Sequence, residues 1–381
     1  MPDKVSADRF SLRRRFPALR ILEAAGIALS PASVVIATVT WVLLGITTGL
    51  VDRILPIDRS VVVTEMTVET WPNTLKATPF IVSGDAQTLA GPWRSVVQPA
   101  VFALRTTAGT AAQLNGVIQF VLAIGVWSLV GIILCRRSAF LFAGNDESTV
   151  QRAVDYGIKR WATALAAPLI PLTVTLLIGI SIAMLGLLGR LPFLGSIWLF
   201  VISPLAAIMG FAMAILLLAT LFGWPLMIAA VSTDDCDSFG SLSRAYSGLT
   251  GRSWHAASYL SLSLLVGLVL TVVVKFVGDA TTWCALSTVA FGCGDEAARG
   301  SMLGPLRLLV TSVESGVSIS FSWSAASVIY LLLRQDVDGV PHDHIAADDA
   351  DRPAREALPV VGIPATDSRV TSNGKVHSEN G

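Results

Sequence analysis

Charged side chains are scarce in this chain, and long intervals have none at all. They make up 14% of its 381 residues, against about a quarter in an ordinary soluble domain. The charge-free intervals are 24–51, 106–135, 161–189, 191–233, 253–274 and 315–333. About 20 apolar residues are enough for a helix to cross the ~30 Å hydrocarbon layer of a bilayer. The sequence therefore excludes a soluble domain and predicts a membrane protein.

Residues that bind metals or perform catalysis are also few. The chain has four cysteines and four histidines, and no cysteines have the spacing of a metal site. A catalytic serine within Gly316–Ser320 would need a base within hydrogen-bond reach, and no predicted span contains a histidine. We therefore predict a non-enzymatic protein without catalytic, metal or cofactor-binding residues.

A basic surface for nucleic acid is missing as well. The formal net charge is zero, because a basic excess in the first 20 residues is offset by an acidic excess in the last 47. A nucleic-acid-binding protein instead carries a basic stripe on a folded face. The predicted partners are the lipid bilayer and either other membrane proteins or a second copy of this chain.

The charge-free intervals predict an all-α fold, a polytopic transmembrane helical bundle of about six spans. A backbone inside lipid must satisfy its own hydrogen bonds, and no long alternating pattern indicates a β-barrel. We place the spans near 30–51, 113–135, 163–188, 204–230, 256–278 and 309–333. The interval 191–233 could hold two spans, so a seventh stays open. With six, Leu191–Ser203 lies along the interface and Pro204 begins the crossing.

Three segments lie outside these spans. The basic segment 1–29 is either an amphipathic helix on the membrane surface or a basic arm that sets topology. Segment 52–112 is expected on the outer face, with Pro99–Thr110 leading helically into span two. The acidic tail 334–381 is expected to be disordered, because it is rich in Asp, Ala, Pro, Gly and Ser.

Basic residues near the span ends predict the orientation. They concentrate in the N-terminal segment and in the loops 136–160 and 231–254. Cytoplasmic loops carry an excess of Lys and Arg. Six spans place all three segments on the cytoplasmic side, so both termini are predicted to be cytoplasmic.

Two of the cytoplasmic loops predict short amphipathic elbow helices. Apolar residues recur at helical spacing in each loop: Val150, Val154, Ile158 and Trp161 in the first, Phe239, Leu242, Tyr246 and Leu249 in the second. Helix capping accounts for the acidic cluster Asp234, Asp235 and Asp237 before the second. The similar order of residues in the two loops suggests a tandem repeat of span, elbow and span over 113–188 and 204–278.

The two elbow regions carry a resemblance to a known family. Ala139–Leu172, with DESTVQRAVDYGIKRWATALAAPLIPL, and Gly223–Leu260, with GWPLMIAAVSTDDCDSFGSLSRAYSGLTGRSW, resemble uncharacterised multi-pass membrane proteins of planctomycetal bacteria. The resemblance implies a bacterial cytoplasmic (inner) membrane protein. The family brings no activity, ligand or active residue to carry over.

Two charged residues fall inside the predicted spans. Lys275 lies near the outer end of span five and Glu314 in the outer half of span six. A charge within a span is costly and often functional. We predict either an ion pair between Lys275 and Glu314, with Asp279 nearby, or a lysine that snorkels to the interface beside a protonated or hydrated glutamic acid.

Two further features are a possible disulfide bond and a stripe of small residues on one helix. Cys284 and Cys293 share the outer loop 279–307, where eight intervening residues and an oxidising compartment would permit a disulfide. Small residues recur every four positions in span six, at Ser312, Gly316, Ser320 and Ser324. Such a stripe predicts a helix-packing face; a polar lining of a conduit is the alternative.

Three functions remain open at this level. The first is a non-enzymatic accessory or scaffold component that binds partner helices or lipid. The second is a small-molecule transporter or channel, which predicts a mid-membrane polar cavity lined, for example, by Gln119, Ser261 and Ser318. The third is a membrane-embedded lipid-modifying enzyme, for which Asp234, Asp235 and Asp237 would be the acidic cluster. We favour the first.

Overall fold

The computed structural model describes residues 17–55, 91–103, 109–144, 149–190, 194–293, 296–341 and 345. Within these ranges the chain forms nine α-helices and two short 3-10 turns, Pro17–Arg20 and Leu188–Arg190. The helices are α1 (Ile21–Ala28), α2 (Pro31–Ile54), α3 (Gly91–Ala103), α4 (Thr110–Phe142), α5 (Val150–Leu187), α6 (Leu194–Asp234), α7 (Ser238–Gly251), α8 (Ser253–Cys293) and α9 (Glu296–Asp338). The prediction of an all-α helical bundle is confirmed.

Six of these helices are long and apolar enough to cross a membrane, namely α2, α4, α5, α6, α8 and α9. The interval 191–233 holds a single span rather than two. Helix α6 runs from Leu194 through Pro204 to Asp234, so the structure does not separate an interfacial segment before Pro204. Proline removes one backbone donor, and the apolar run on both sides continues the helix.

Helix α9 is the centre of the bundle. Its most apolar window is 94% buried, whereas those of α5 and α6 are each only 6% buried. Helices α1, α2, α4, α6 and α8 all pack against α9. Ile21, Ala24 and Ala28 of α1 are fully buried in this packing. The described end of the basic N-terminal segment is therefore part of the bundle and not only a surface helix.

Helix α3 begins at mid-depth in the bundle and runs toward the end opposite to the elbows. Its serine Ser95 accepts a 2.6 Å hydrogen bond from the indole of Trp127, which lies midway along α4. At its other end, Pro99 and Ala103 contact Gly116 near the start of α4. The expectation that all of 52–112 lies on the outer face is wrong for α3, which is packed among the spans. Residues 56–90 and 104–108 lie outside the described residues.

The two elbows are built differently. The second is a separate helix, α7, and Asp237 caps it by accepting a 2.9 Å bond from the Gly240 amide. The non-helical backbone at Arg252, with φ −135° and ψ 63°, then separates α7 from α8. The first elbow is not a separate helix, because α5 continues without a break from Val150 to Leu187. The proposed repeat therefore has unlike elbows.

Helix α9 also extends beyond its predicted end. It runs to Asp338, and Asp336 accepts a 2.7 Å hydrogen bond from Tyr259 of α8. Gly339 then adopts φ +68°, a conformation that glycine takes without steric cost. The start of the acidic tail at residue 334 was thus placed too early, because charge alone does not end a helix. Residues 346–381, and with them most of the predicted tail, lie outside the described residues.

Two antiparallel hairpins, α5–α6 and α8–α9, form the periphery and the centre of the bundle. Each of their helices has 38 to 43 residues, or about 57 to 65 Å at 1.5 Å per residue. The hydrocarbon layer is ~30 Å thick. We call the end that carries the elbows the basic end and the end with the hairpin turns the far end. Both hairpins are longer than the layer that they cross.

Candidate functional site

Charged side chains converge at the basic end around the last residue of α6 and the residue that follows it. Asp234 ends the helix, and Asp235 adopts φ 52°, a left-handed conformation that aspartate tolerates better than most residues. This change of direction points the two carboxylates at different helices. We call Asp234, Asp235 and the side chains that bind them the aspartate cluster.

The carboxylate of Asp234 joins α6 to α7 and α9. Arg334 of α9 donates to Oδ1 and Arg244 of α7 donates to Oδ2. The hydroxyl of Tyr330 donates to Oδ2 as well, at 2.5 Å. The Asp234 and Arg334 side chains are only 5% and 6% exposed, whereas Arg244 is 47% exposed. A buried charge pair of this kind is costly to break, since removing one partner leaves the other charge uncompensated.

The carboxylate of Asp235 faces α5 instead. Arg160 forms a 2.5 Å ion pair with Oδ1. Tyr156 donates a 2.7 Å hydrogen bond to the Val231 carbonyl oxygen, and its hydroxyl lies 3.2 Å from Asp235 Oδ1. The guanidinium of Arg136, from α4, stacks 4.0 Å from the Tyr156 ring centroid. The cluster therefore fixes the basic ends of α4, α5, α6, α7 and α9 relative to one another.

The carboxylates of the aspartate cluster have a structural role, because they link the ends of helices. Asp234 and Asp235 are each bound by arginine and tyrosine, and Asp237 caps α7. The lipid-modifying hypothesis needed these three carboxylates as reactive groups, and the structure gives each of them a binding role instead. Burial raises the pKa of the neighbouring Cys236 thiol to about 11, so little reactive thiolate forms at neutral pH. No group of three metal-ligating side chains occurs in the described ranges.

Tryptophans fill the bundle around the mid-depth end of α3. Trp93 of α3 contacts Trp224 of α6 edge-on at 6.1 Å, and Trp224 contacts Trp323 of α9 edge-on at 5.6 Å. Trp93 also donates a 3.1 Å hydrogen bond to the Leu221 carbonyl oxygen. Gly131 of α4 lies against the Trp323 ring, where a Cβ would be 2.9 Å from ring carbons. The mid-depth core is thus largely aromatic.

The residues suggested for a conduit do not converge. Gln119 donates 2.7 Å bonds to Asp52 and Asn115 near the far end. Ser261 and Ser318 donate to carbonyls of their own helices, at Ala257 and Glu314. The three side chains belong to separate local contacts, and the structure does not bring them together in one lining.

The structure places Lys275 and Glu314 on the adjacent antiparallel helices α8 and α9. The Glu314 carboxylate packs directly on Gly278, so tightly that a Cβ there would overlap Oε1. Lys275 and Asp279 are both near enough to act on this carboxylate electrostatically. The three charges therefore lie in the same region of α8 and α9, and the ion pair between Lys275 and Glu314 stays a prediction.

The structure does not bring Cys284 and Cys293 together. Both belong to the continuous helix α8, and Cys284 is an exposed free thiol. Nine residues of helix rise about 13.5 Å, whereas a disulfide needs Cα atoms within about 7 Å. The predicted bridge assumed a loop over 279–307; it would require this part of α8 to unwind. The side chain of Cys293 lies outside the described residues.

The small-residue stripe of α9 lies in close helix contacts. Gly316 abuts Thr38 of α2, where a Cβ would overlap the threonine hydroxyl. Ser320 donates a 2.8 Å bond to the Ala28 carbonyl oxygen, and Ser324 shares a 2.8 Å hydrogen bond with Ser138 of α4. Ser312 is buried and bonds within its own helix. The geometry is that of a packing face rather than a conduit lining.

Sequence reasoning missed the partners that make the aspartate cluster. The predicted boundary between span six and the tail places Arg334 in the tail, and nothing in the sequence pattern singles out Tyr330 within the span. Their separation from Asp234 along the chain gives no local pattern. The one usable signal is that Tyr330 and Arg334 are four residues apart and thus share a helix face, at the end of a span whose neighbour ends in two aspartates.

The fold and this cluster define a polytopic helical membrane protein whose polar groups cross-link helix ends. Comparisons with protein-family models, curated proteins and solved structures found no match. Function therefore has to be inferred from the fold and the contacts described above.

Proposed function

We propose that the protein is a non-enzymatic accessory or scaffold component of a bacterial inner membrane, and that its α5–α6 hairpin binds helices of a partner membrane protein. The likeness of its two elbow regions to a planctomycetal family supports the location. The basic residues at the elbow end support cytoplasmic termini, since cytoplasmic loops are enriched in Lys and Arg.

The observation that carries this proposal is the uncovered apolar surface of the α5–α6 hairpin. Only Arg190 is charged between Trp161 and Thr233. Helix α6 alone has 41 residues, about 60 Å of helix and twice the thickness of the hydrocarbon layer. An apolar stretch that exceeds the bilayer must tilt, bend or associate with other helices. Phe200 and Phe211 are 81% and 69% exposed on it.

The test replaces these two phenylalanines by alanine. The variant Phe200→Ala/Phe211→Ala stays apolar, so it should insert and fold, while it loses the side chains best placed to reach a partner helix. The matched control is Leu43→Ala/Ile46→Ala on α2, where the side chains are 56% and 55% exposed. Native electrophoresis and light scattering of the extracted protein give the mass of the complex. We expect the hairpin variant alone to dissociate; a monomeric wild type would contradict the proposal.

A transporter or channel is the second candidate, and helix α3 is the observation that favours it. Half-helices that begin at mid-depth occur in transporters, where they line central binding sites. Helix α3 has 13 residues, about 20 Å, and carries the exposed Arg94 in its first turn. A charged residue at this depth is unusual unless it meets water or protein.

Water access to α3 separates the two candidates. Val97→Cys, on an exposed face of α3, is compared with Val121→Cys on α4, with exposures of 44% and 57%, in protein lacking the native cysteines. A conduit predicts that a membrane-impermeant, water-soluble thiol reagent modifies residue 97 and not residue 121. Protection of both positions would exclude a water-filled path along α3.

A further inference from the structure

A cavity of about 130 Å³ lies beside the aspartate cluster, between α6, α7 and α9. Its wall is formed by Arg244 and Ser247 of α7, Tyr330 and Arg334 of α9, and Leu226 of α6, with Asp338 also in the lining. The volume is far below the roughly 300 to 1,000 Å³ of sites for drug-sized ligands. It suits one small polar group.

The cavity has donors for an anion on one side. Arg244 uses Nη1 on Asp234, and its guanidinium carries five donors in all. Nearly half of this side chain is exposed, so it can bind a second acceptor while it stays on Asp234. The hydroxyl of Ser247 is on the exposed side of the same helix, one turn away. Guanidinium and hydroxyl donors together are typical of phosphate recognition.

The other lining residues, and the depth of the cavity in the membrane, restrict which class of ligand can bind. Leu226 and Leu333 make one side apolar. The charge-free runs of α6 and α9 end at residues 233 and 333, so the cavity lies where acyl chains meet headgroups. Asp338 would repel a second negative charge and could accept a hydrogen bond from an amine.

We propose that this cavity binds the phosphate headgroup of a membrane lipid, with a headgroup whose other charge is positive, such as phosphoethanolamine. The phosphate binds Arg244 and Ser247, and the amine faces Asp338. This site goes beyond the scaffold role and does not depend on it, because it uses α7 and α9 and not the exposed face of the α5–α6 hairpin.

The test measures binding of short-chain phosphatidylethanolamine to the delipidated full-length protein by native mass spectrometry. Ser247→Leu fills the cavity and leaves every ion pair of the cluster in place; Thr250→Leu puts the same side chain one turn further along α7, outside the lining. Arg244→Gln loses a charge-assisted bond to the phosphate, and Ser247→Leu blocks access to the cavity. Each variant should bind the lipid about tenfold or more weakly than the wild type. Thr250→Leu should bind as the wild type does.

Three results with lipid probes would overturn the proposal, and so would one with free phosphates. The three are the absence of saturable lipid binding to the wild type, unchanged binding to Ser247→Leu, and equal binding of short-chain phosphatidylglycerol, which lacks the amine. Inorganic phosphate and glycerol phosphate are the remaining probes. If they displace the lipid at equal concentration, the site takes a free phosphate and not a lipid. Thermal unfolding of each variant shows whether it is folded, and Ser247→Leu decides the matter if Arg244→Gln is not.

Discussion

The two long hairpins have similar lengths and opposite surfaces. In α5–α6, Arg190 is the one charged residue between Trp161 and Thr233, whereas five charged residues lie between Lys275 and Glu314 of α8–α9, which are themselves charged. The far part of α8–α9 can therefore meet water. The same part of α5–α6 needs lipid or another protein. The two hairpins thus have helices of similar length but suit different surroundings. What distinguishes them is the number of charged side chains and not the backbone structure.

The hairpins also differ in how their basic ends are fixed to α9. Asp234 at the end of α6 binds Arg334 and Tyr330 of α9 as well as Arg244 of α7, whereas α8 is joined to α9 at this end of the described chain by a hydrogen bond from Tyr259 to Asp336. Residues 223–233 at this end of α6 are all buried, so the ion pair between Asp234 and Arg334 is shielded from water and matters more than an exposed pair would. Four changes, from the largest expected effect to the smallest, test this comparison.

The largest effect is expected from Asp234→Ala. The change leaves the buried Arg334 without its carboxylate, and breaking one side of a buried pair costs about 3–5 kcal/mol of unfolding free energy. Reversible unfolding in mixed micelles, followed by tryptophan fluorescence, measures the loss. Tyr259→Phe at the other hairpin removes one hydrogen bond and should cost about 1 kcal/mol. Equal losses at the two sites would refute the difference in anchoring.

Glycines at the far end give the second comparison. A Cβ at Gly195 would overlap the Gly189 carbonyl oxygen across the α5–α6 turn, and one at Gly278 would overlap the Glu314 carboxylate. Backbone cannot move aside, so Gly195→Ala should cost about 1–3 kcal/mol. Gly278→Ala should cost less, because the glutamate side chain can rotate. Thermal unfolding of both variants is the measurement, and the reverse order would show that the α5–α6 turn is loosely packed.

A charge swap in α8–α9 should have a smaller effect. Glu314→Lys places two cations together and should cost about 0.6 to 1.7 kcal/mol, the range of polar contacts between membrane helices. Adding Lys275→Glu should recover most of that loss in the same unfolding assay. If the single change leaves stability unaltered, Lys275 and Glu314 do not interact.

The smallest effect concerns the reactivity of Cys236 at the base of the α5–α6 hairpin. Only the thiolate reacts with iodoacetamide, and burial raises this pKa from an ordinary 9.0 to about 11. In a variant whose one cysteine is Cys236, the labelling rate should keep rising up to about pH 11, and should be about 100-fold below that of an open thiol at pH 8. The same variant in denaturant should level off near pH 9. If the labelling rate of the folded variant also levels off near pH 9, Cys236 is not buried and water enters the aspartate cluster.

The sequence predicted what depends on local pattern and missed what depends on distant contacts. The six spans follow from runs of apolar residues, and the packing face of α9 follows from the spacing of Gly316, Ser320 and Ser324. The prediction of a helix over Pro99–Thr110 covers only the last turn of α3, because 13 residues with Pro92, Arg94 and Pro99 are too short and polar for a hydropathy signal. Asp234 was assigned to capping, because a carboxylate just before a helix is the usual cap and its partner Arg334 is 100 residues away.

Helix α3 has a consequence for the order of assembly during biosynthesis. A helix of about 20 Å cannot hold itself across a bilayer, and α3 rests on Leu221 and Trp224 of α6 and contacts Ile319 of α9 at Gly91. Those residues are synthesised long after α3 has left the ribosome. Helix α3 can first pack on α4, which is made directly after it, whereas its contacts with α6 and α9 must wait for those helices. A chain truncated before α9 would have the seven other helices described here made, with α3 on α4 and its contact with Ile319 still missing.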